Sequence, residues 1–424
     1  MTQDTPLEAS GTATATALAR PRKLFTPSLA LFNFGAAVAV LTPVRLTLAL
    51  KVQELVGNQD KAAALGLVTA VGAVFAIICS PLAGRLSDRT TSRFGMRRPW
   101  IIGGATGGAV CLLVIGAADS LWMVVLGWCL AEVFINSATA AATATVADQV
   151  PPEGRGRVSG IVGLGLPAAV LTGSVIVNAF ASSVTRFVVP GALMLVFAVL
   201  LILNLSDRRL HERPAKFDLK EFASSFVFNP RRNPDFGWLW IGRFAVMFGS
   251  SGVQTYQVYL LTDRFGLSGS ALTGVIVMAN TGAAIAMIVS SYLMGMLSDR
   301  LRRRKPFVAA GSVFIALGLA MIAFAPDPTL VIAAGPVVGF GAAGFLAVDL
   351  ALATQVLPDR GDTAKDLGVL VITNGLPQSV VPVIAPAVIA MGTASISGYS
   401  LLYVMGAVSA ILGAVCVYRI KGVR

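Results

Sequence analysis

Apolar blocks of about twenty residues recur along the whole chain, and that pattern rules out most folds. A block of this length crosses the hydrocarbon core of a bilayer as one helix. Within lipid, only elements that satisfy their own backbone hydrogen bonds persist. Reading the blocks between charged or Pro/Gly breaks predicts twelve helices, near 28–52, 62–83, 100–118, 121–148, 157–181 and 186–205, then 236–261, 271–296, 306–325, 328–356, 367–391 and 398–418. Composition agrees, since 55% of the 424 residues are hydrophobic and 13% charged, whereas soluble domains carry about 25% charged residues.

The second constraint is duplication. Gly84-Arg85-Leu86-Ser87-Asp88-Arg89 leads to Arg97-Arg98-Pro99, and Gly295-Met296-Leu297-Ser298-Asp299-Arg300 leads to Arg304-Lys305-Pro306. Each copy joins two apolar blocks, so the repeated unit is a set of membrane helices. The expected fold is all-α: a polytopic membrane protein with twelve transmembrane helices in two pseudosymmetric six-helix bundles. Its parts are an N-terminal tail (1–27), a first bundle (28–205), a charged middle loop (206–235), a second bundle (236–418) and a C-terminal tail (419–424). The N-terminal stretch through Leu18 has no apolar core of the signal-peptide type and reads as a disordered cytoplasmic tail.

The net charge of +12 raises the question of nucleic acid, but the basic residues lie in short loops between apolar blocks. With twelve spans, 28 of the 33 Lys and Arg fall on the side that holds both termini. The positive-inside rule makes that side cytoplasmic, so the chain is expected in the cell (inner) membrane as a multi-pass protein. The four cysteines all lie in apolar blocks without ligand spacing and read as inert thiols. Gly-rich runs lack a strand–loop–helix setting and a Walker lysine, which argues against ATP drive. No cofactor, metal, enzyme activity or nucleic-acid partner is expected. The expected partners are a small-molecule solute, protons and the lipid bilayer, with the chain acting as a monomer.

Six plus six helices, a long middle loop and the repeated loop together resemble the major facilitator superfamily over essentially the whole chain. Gly84, Leu86, Asp88, Arg89, Gly95, Arg97 and Arg98 match that family's loop motif between helices two and three, and Pro152…Arg155-Gly156-Arg157 looks like a second signature. The longer stretch Asp88–Pro99 is similar to the sucrose/proton symporters and their glycoside-transporting bacterial relatives. On helix four, Glu132-Val133-Phe134-Ile135-Asn136 matches the acid and second Asn of a symporter stretch whose Asp is implicated in proton coupling, while Thr143 stands where that stretch has an Arg. The resemblance implies that helices one, four, seven and ten line a central cavity.

Charges within the membrane are costly and are usually paired or functional. Arg45 (helix one), Glu132 (helix four), Arg243 (helix seven) and Asp349 (helix ten) form two pairs under the half-chain repeat. At 1.5 Å per residue, Glu132 and Arg45 lie roughly 16–17 Å below the outer face, and Arg243 and Asp349 about 10 Å from the cytoplasmic one. Each pair is either a buried tie between helices or part of the mechanism. Burial favours a neutral carboxylate and a nearby Arg a charged one, so Glu132 with a moving Arg45 is the candidate proton-coupling site. The only histidine, His211, lies in the middle loop. Arg243 and Asp349 are candidates for the inner gate.

Gating is also expected of Gly84, Asp88, Arg89, Arg97, Arg98, Arg155, Arg157, Asp299 and Arg300. An Asp beside a helix N-terminus and Arg donors facing carboxylates or carbonyls can latch two bundles, although the Arg residues would also serve simply to anchor topology. Candidate solute contacts are Trp128, Asn136, Gln254, Tyr256, Gln257, Asn280, Asn374 and Gln378, each with an alternative role in helix packing. Trp128 and Glu132 stand four residues apart on one helix face, a ring and an acid suited to a sugar. Pro377, Pro382 and Pro386 suggest a bent helix eleven.

The function expected is proton-coupled alternating-access transport of a small solute, with a sugar or glycoside first. Proton-antiport efflux of drugs or metabolites is the alternative, and a non-transporting scaffold or assembly factor the second.

Overall fold

The computed structural model describes residues 22–207, 233–356, 363–393 and 396–421, and these are all-helical, with no strand among them. Most of the middle loop and of the expected N-terminal tail, and half of the C-terminal one, lie outside the described residues. The first half comprises α1 (Phe25–Thr42), a π-helical turn (Pro43–Thr47), α2 (Leu48–Ser87), α3 (Arg98–Gly116), α4 (Leu121–Gln149), α5 (Pro152–Gly163), α6 (Gly165–Ala179) and α7 (Ser183–Asn204). The second comprises α8 (Pro234–Phe265), α9 (Gly269–Leu301), α10 (Lys305–Ala323), α11 (Pro328–Val356), α12 (Thr363–Ala390) and α13 (Gly398–Tyr418).

Among the described residues, ten helical runs are long and apolar enough to cross a membrane. The first of them, Phe25–Ser87, holds 63 residues, roughly 95 Å of helix at 1.5 Å per residue and thus enough for two crossings. It breaks at Gly57, where φ is 74° and ψ −165°. The helix α8 falls outside the ten, yet it packs along α12 and α13 as a span. Splitting the first run and adding α8 makes twelve crossings, with α5 and α6 forming one span. Helix ends are fixed locally. At the start of α11, for example, Asp327 accepts hydrogen bonds from the Thr329 hydroxyl and from the amides of Leu330 (3.2 Å) and Thr329 (2.9 Å); the hydroxyl first, then the amides, hold its carboxyl below the usual range.

Within the first half, α2 and α3 pack on α4, and α7 on α1 and α3; within the second, α9 and α10 pack on α11, and α13 on α8 and α10. The halves meet where α2 packs on α12, α6 on α9 and the π-helical turn on α8. Polar contacts across this seam cluster toward the face away from the termini, the far face. Lys61 of α2 forms an ion pair with Asp263 of α8 at 2.5 Å, and Asp263 also accepts the Tyr399 hydroxyl at 2.7 Å. The Lys61 ammonium lies 4.9 Å from the centre of the Tyr259 ring, and the Tyr259 hydroxyl donates to the Ala49 carbonyl at 2.9 Å. Between α9 and α6, Thr273 donates to Asn178 and Asn280 to Ser174, both at 3.0 Å.

Helix α12 runs continuously through its three prolines. Pro386 has no amide to offer the Pro382 carbonyl, the usual partner four residues back. The Tyr256 hydroxyl donates to that freed carbonyl at 3.2 Å and sits 3.3 Å from the Ala62 carbonyl of the opposite half. Gly66 of α2 lies against the same point, where an added Cβ would stand 2.3 Å from the Pro382 oxygen. A Gly66→Val substitution should therefore wedge the far face open. In a background lacking Cys79, Cys111, Cys129 and Cys416, a cysteine at Thr255 should become reactive to an impermeant maleimide from the far side. Unchanged protection would contradict this closure.

Candidate functional site

A cavity of about 280 Å³ lies where the two halves face one another, near the lower end of the roughly 300–1,000 Å³ common for ligand pockets. Five stretches of helix line it: Val40, Leu41 and Val44 from the first span, Thr69–Ser80 from α2, Trp128, Glu132 and Asn136 from α4, Ser251–Thr255 from α8, and Asn374–Gln378 from α12. On α4 the three lining residues are spaced by four, which places them on one face. The wall is mixed, with aliphatic residues from the first span and amides from α4, α8 and α12.

Five of the eight expected solute contacts line this cavity: Trp128, Asn136, Gln254, Asn374 and Gln378. Trp128 is 1% exposed because its indole packs against Gly72, where a Cβ would come within 2.3 Å of the ring. It forms a floor more than a free stacking platform. Tyr256, Gln257 and Asn280 do not line the cavity. Tyr256 ties α8 to α12 and α2, and Asn280 ties α9 to α6; both are bonds of the seam between the halves. Gln257 is buried on α8 and does not reach the cavity lining. Thr69, Ser80, Ser251 and Thr255 line the cavity without having stood out in the sequence, since Ser and Thr on helices so often bond their own backbone. Thr69 does so at 2.8 Å, to the Leu65 carbonyl.

Glu132 is the charged group of the cavity wall. It is 6% exposed, and its Oε2 accepts a hydrogen bond from Asn136 Nδ2 at 2.7 Å. The expected Arg45–Glu132 ion pair is not formed in this conformation. Arg45 sits in the π-helical turn, where Leu48 N–H donates to the carbonyl of Pro43 five residues back. The extra residue in this turn shifts the helical phase relative to a regular helix, so Arg45 lies off the lining face. Its Nε is buried without a hydrogen-bond partner, as are the hydroxyls of Thr42 and Thr47 on either side.

The other pair behaves differently. Arg243 Nη1 and Asp349 Oδ2 form a short ion pair, with the two residues 9% and 1% exposed. Arg243 Nη2 and Nε also face Asn374 Oδ1, at 3.2 and 3.4 Å. One guanidinium thus joins α8, α11 and α12, and through Asn374 it reaches the cavity wall. Asp349 Oδ1 has no partner.

The first loop copy forms a compact cluster on the termini face. Arg97 pairs with Asp88 and, at 2.9 Å, with Asp148 of α4, and its Nη1 donates to Ser87 at 2.5 Å. An Asp beside a helix N-terminus was expected to be Asp88, but that role falls to Asp207. Asp207 Oδ2 accepts the amides of Arg97 and Arg98 at 2.9 and 2.8 Å, where α3 begins and a carboxylate meets the positive helix end. Gly95 has φ 105°, and a Cβ there would strike the Asp207 carboxylate. Arg98 donates to the Leu205 carbonyl at 2.6 Å, and Arg155 closes the end of α4 through the carbonyls of Ala147 and Val150, both at 3.0 Å. Gly84 faces open space, Arg89 lies beside the cluster, and Arg157 is exposed on α5. The second copy is looser: Asp299 and Arg304 stand 4.0 Å apart, and Arg300 is exposed.

Similarity to known proteins bears on the same features. The chain is 30% identical over 147 residues to a class E tetracycline resistance protein of Escherichia coli, covering 34% of each. It is 36% identical over 92 residues to the sucrose transport protein SUC4 of Arabidopsis thaliana, covering 22% of this chain and 16% of that one. The chain therefore spans about a third or less of either relative's length. Among solved structures, the nucleoside transporter NupG superposes with a TM-score of 0.71 at 14% identity, covering 93% of this chain and 98% of that one. An inward-facing, unoccupied bacterial homologue of the human lysosomal transporter Spinster does so with a TM-score of 0.68 at 17% identity, covering 93% and 94%. The Major Facilitator Superfamily profile matches residues 24–287 and 274–423; with twelve crossings, a doubled loop and a cavity between halves, the chain is a multi-pass membrane protein of that superfamily.

Proposed function

We propose that this transporter moves a small, uncharged, hydroxyl-rich solute of the sugar or glycoside type together with protons, and that Glu132 carries the proton. The observation behind this reading is Glu132 itself. It is a buried carboxylate on the wall of the cavity, with an amide for a neighbour and no cation paired to it. A buried charge left in that state is costly, so the site favours a proton or a hydrogen-bonding solute as its partner. The amides of Asn136, Gln254, Asn374 and Gln378 can both give and accept hydrogen bonds, which suits hydroxyl groups, while the single carboxylate disfavours anionic solutes.

The positive-inside bias makes the termini face cytoplasmic. On this reading the Lys61–Asp263–Tyr399 network closes the far face, and this conformation is assigned to the inward-facing state. In the proposed cycle, Glu132 is protonated while the far face is open, and the solute then binds beside it. Closure of the far face comes next, and the proton leaves toward the cytoplasm. Arg45, whose Nε is unpartnered here, provides a countercharge for Glu132 as the first span turns about its π-helical segment. The Arg97 cluster braces the first half at the cytoplasmic face and presents the exposed Asp88 as the latch toward the second half, with Arg300 and Asp299 as its weaker counterpart there. Arg243 and Asp349 hold the second half together around Asn374.

Efflux by proton antiport is the second reading. The aliphatic wall from Val40 to Val44 and the partial similarity to tetracycline resistance proteins favour it, and the same carboxylate would serve. A solute screen in proteoliposomes with a pH-sensitive dye separates the two by the direction of the proton movement.

Three variants test the assignments. Glu132→Gln should abolish uphill accumulation driven by a proton gradient while leaving solute exchange down its gradient intact; full accumulation in this variant would overturn the assignment. Arg243→Ala should cost about 3–5 kcal/mol of stability by leaving a buried carboxylate unpaired. The double substitution Arg243→Met with Asp349→Leu should recover most of it in thermal unfolding. Equal loss in the single and double variants would contradict a simple tie between helices.

A further inference from the structure

Four basic residues stand near the far face against the general charge bias: Lys51, Lys61, Arg186 and Arg264. Two are accounted for by the fold. Lys61 pairs with Asp263, and Arg264 donates to the carbonyls of Ile322, Ala323 and Ala325 and to Ser400. The other two, Lys51 and Arg186, come from segments 135 residues apart and meet in one cavity, separate from the solute site.

That cavity has a volume of about 280 Å³ and is lined by Thr47, Lys51, Glu54, Ser183, Arg186 and Phe187, among others. Lys51 is 5% exposed, and its contact with Glu54 is 3.7 Å, too long for a hydrogen bond. Glu54 itself is 60% exposed at the rim, so it leaves the interior positive. Thr47 is 2% exposed, and its hydroxyl has no partner. Arg186 is aimed by a bond from Nε to the Phe180 carbonyl at 2.7 Å. Ser183 opens α7, a helix of 22 residues whose N-cap, Ser182, makes no side-chain capping bond and whose first turn has no acid. The leading amides of such a helix have no intrahelical acceptor.

An ammonium, a guanidinium, an unpartnered hydroxyl and a bare helix N-terminus around one space match the needs of a tetrahedral oxyanion. We propose that this cavity binds a phosphate group, carried by a membrane phospholipid or present as free phosphate, and thereby ties the first span to the start of α7. Lys51 stands six residues before the Gly57 break that ends the first crossing, and Ser183 begins the crossing of α7, so the site lies at the ends of two spans. Its occupancy would satisfy the Thr47 hydroxyl within the same π-helical turn that carries Arg45.

The test uses the purified full-length protein after delipidation. Phosphatidylglycerol binding is measured by native mass spectrometry, and inorganic phosphate binding by thermal stabilisation and by competition with the lipid. Lys51→Gln and Arg186→Gln should each weaken binding by about tenfold, the change expected from losing one charge-assisted contact. Thr47→Val preserves shape and charge and should weaken it several-fold, which keeps the test valid if either charge variant folds poorly. Lipid binding that inorganic phosphate does not displace identifies the headgroup as the source. Stabilisation by phosphate without lipid retention identifies free phosphate, and either result supports the site. Binding of both probes that is the same in wild type and all three variants would overturn it. None of these readouts depends on transport, so they stand apart from the proposed solute and coupling.

Discussion

A carboxylate at mid-membrane depth needs a partner, and the arrangement around Glu132 reflects how that need is met. Asn136 gives it one hydrogen bond, which lowers the cost of burial without fixing its charge. Where an Arg stands beside a buried acid, as Arg243 does beside Asp349, the pair ties the helices together. The two halves have thus divided two tasks. The second uses its Arg and acid to tie α8, α11 and α12, while the first keeps its acid on the cavity wall and its Arg aside.

Alternation between two open states requires contacts strong enough to close one face and weak enough to release it. At the far face these are one ion pair, in which Lys61 is buried and Asp263 partly exposed, its tyrosine partner and a few hydrogen bonds across the seam. Close backbone approach adds to them, with Gly66 set against a carbonyl that Pro386 leaves free. Near the termini, the Arg97 cluster joins α2, α3 and α4 within one half. It gives that half a rigid edge and presents Asp88, 55% exposed, toward the surface.

Much of this was legible in the sequence. Apolar block length and the doubled loop carried the all-helical architecture and the twelve crossings, since both derive from the bilayer's thickness and from repetition. The α4 face was readable because a spacing of four places Trp128, Glu132 and Asn136 together on any regular helix. The features that escaped reading depend on long-range geometry. The π-helical turn at Pro43 displaced Arg45 from the face that a regular helix would give it. Tyr256 and Asn280 had the chemistry of solute contacts, but their partners, Pro382 and Ser174, lie on other helices. Lys61 and Asp263 are 202 residues apart, and nothing local marked them as a pair. Asp207 took the helix-capping role expected of Asp88 because it comes directly after α7 and reaches the start of α3.

The protonation of Glu132 itself is the quantity on which the proposed coupling rests. Infrared difference spectroscopy of the purified transporter, recorded on adding a transported solute, reads it directly through the carboxyl stretching band. A band that changes with solute in the wild type and is lost in Glu132→Gln is the predicted result. A spectrum with the same carboxyl change in both proteins would contradict it, and would place the proton on another group.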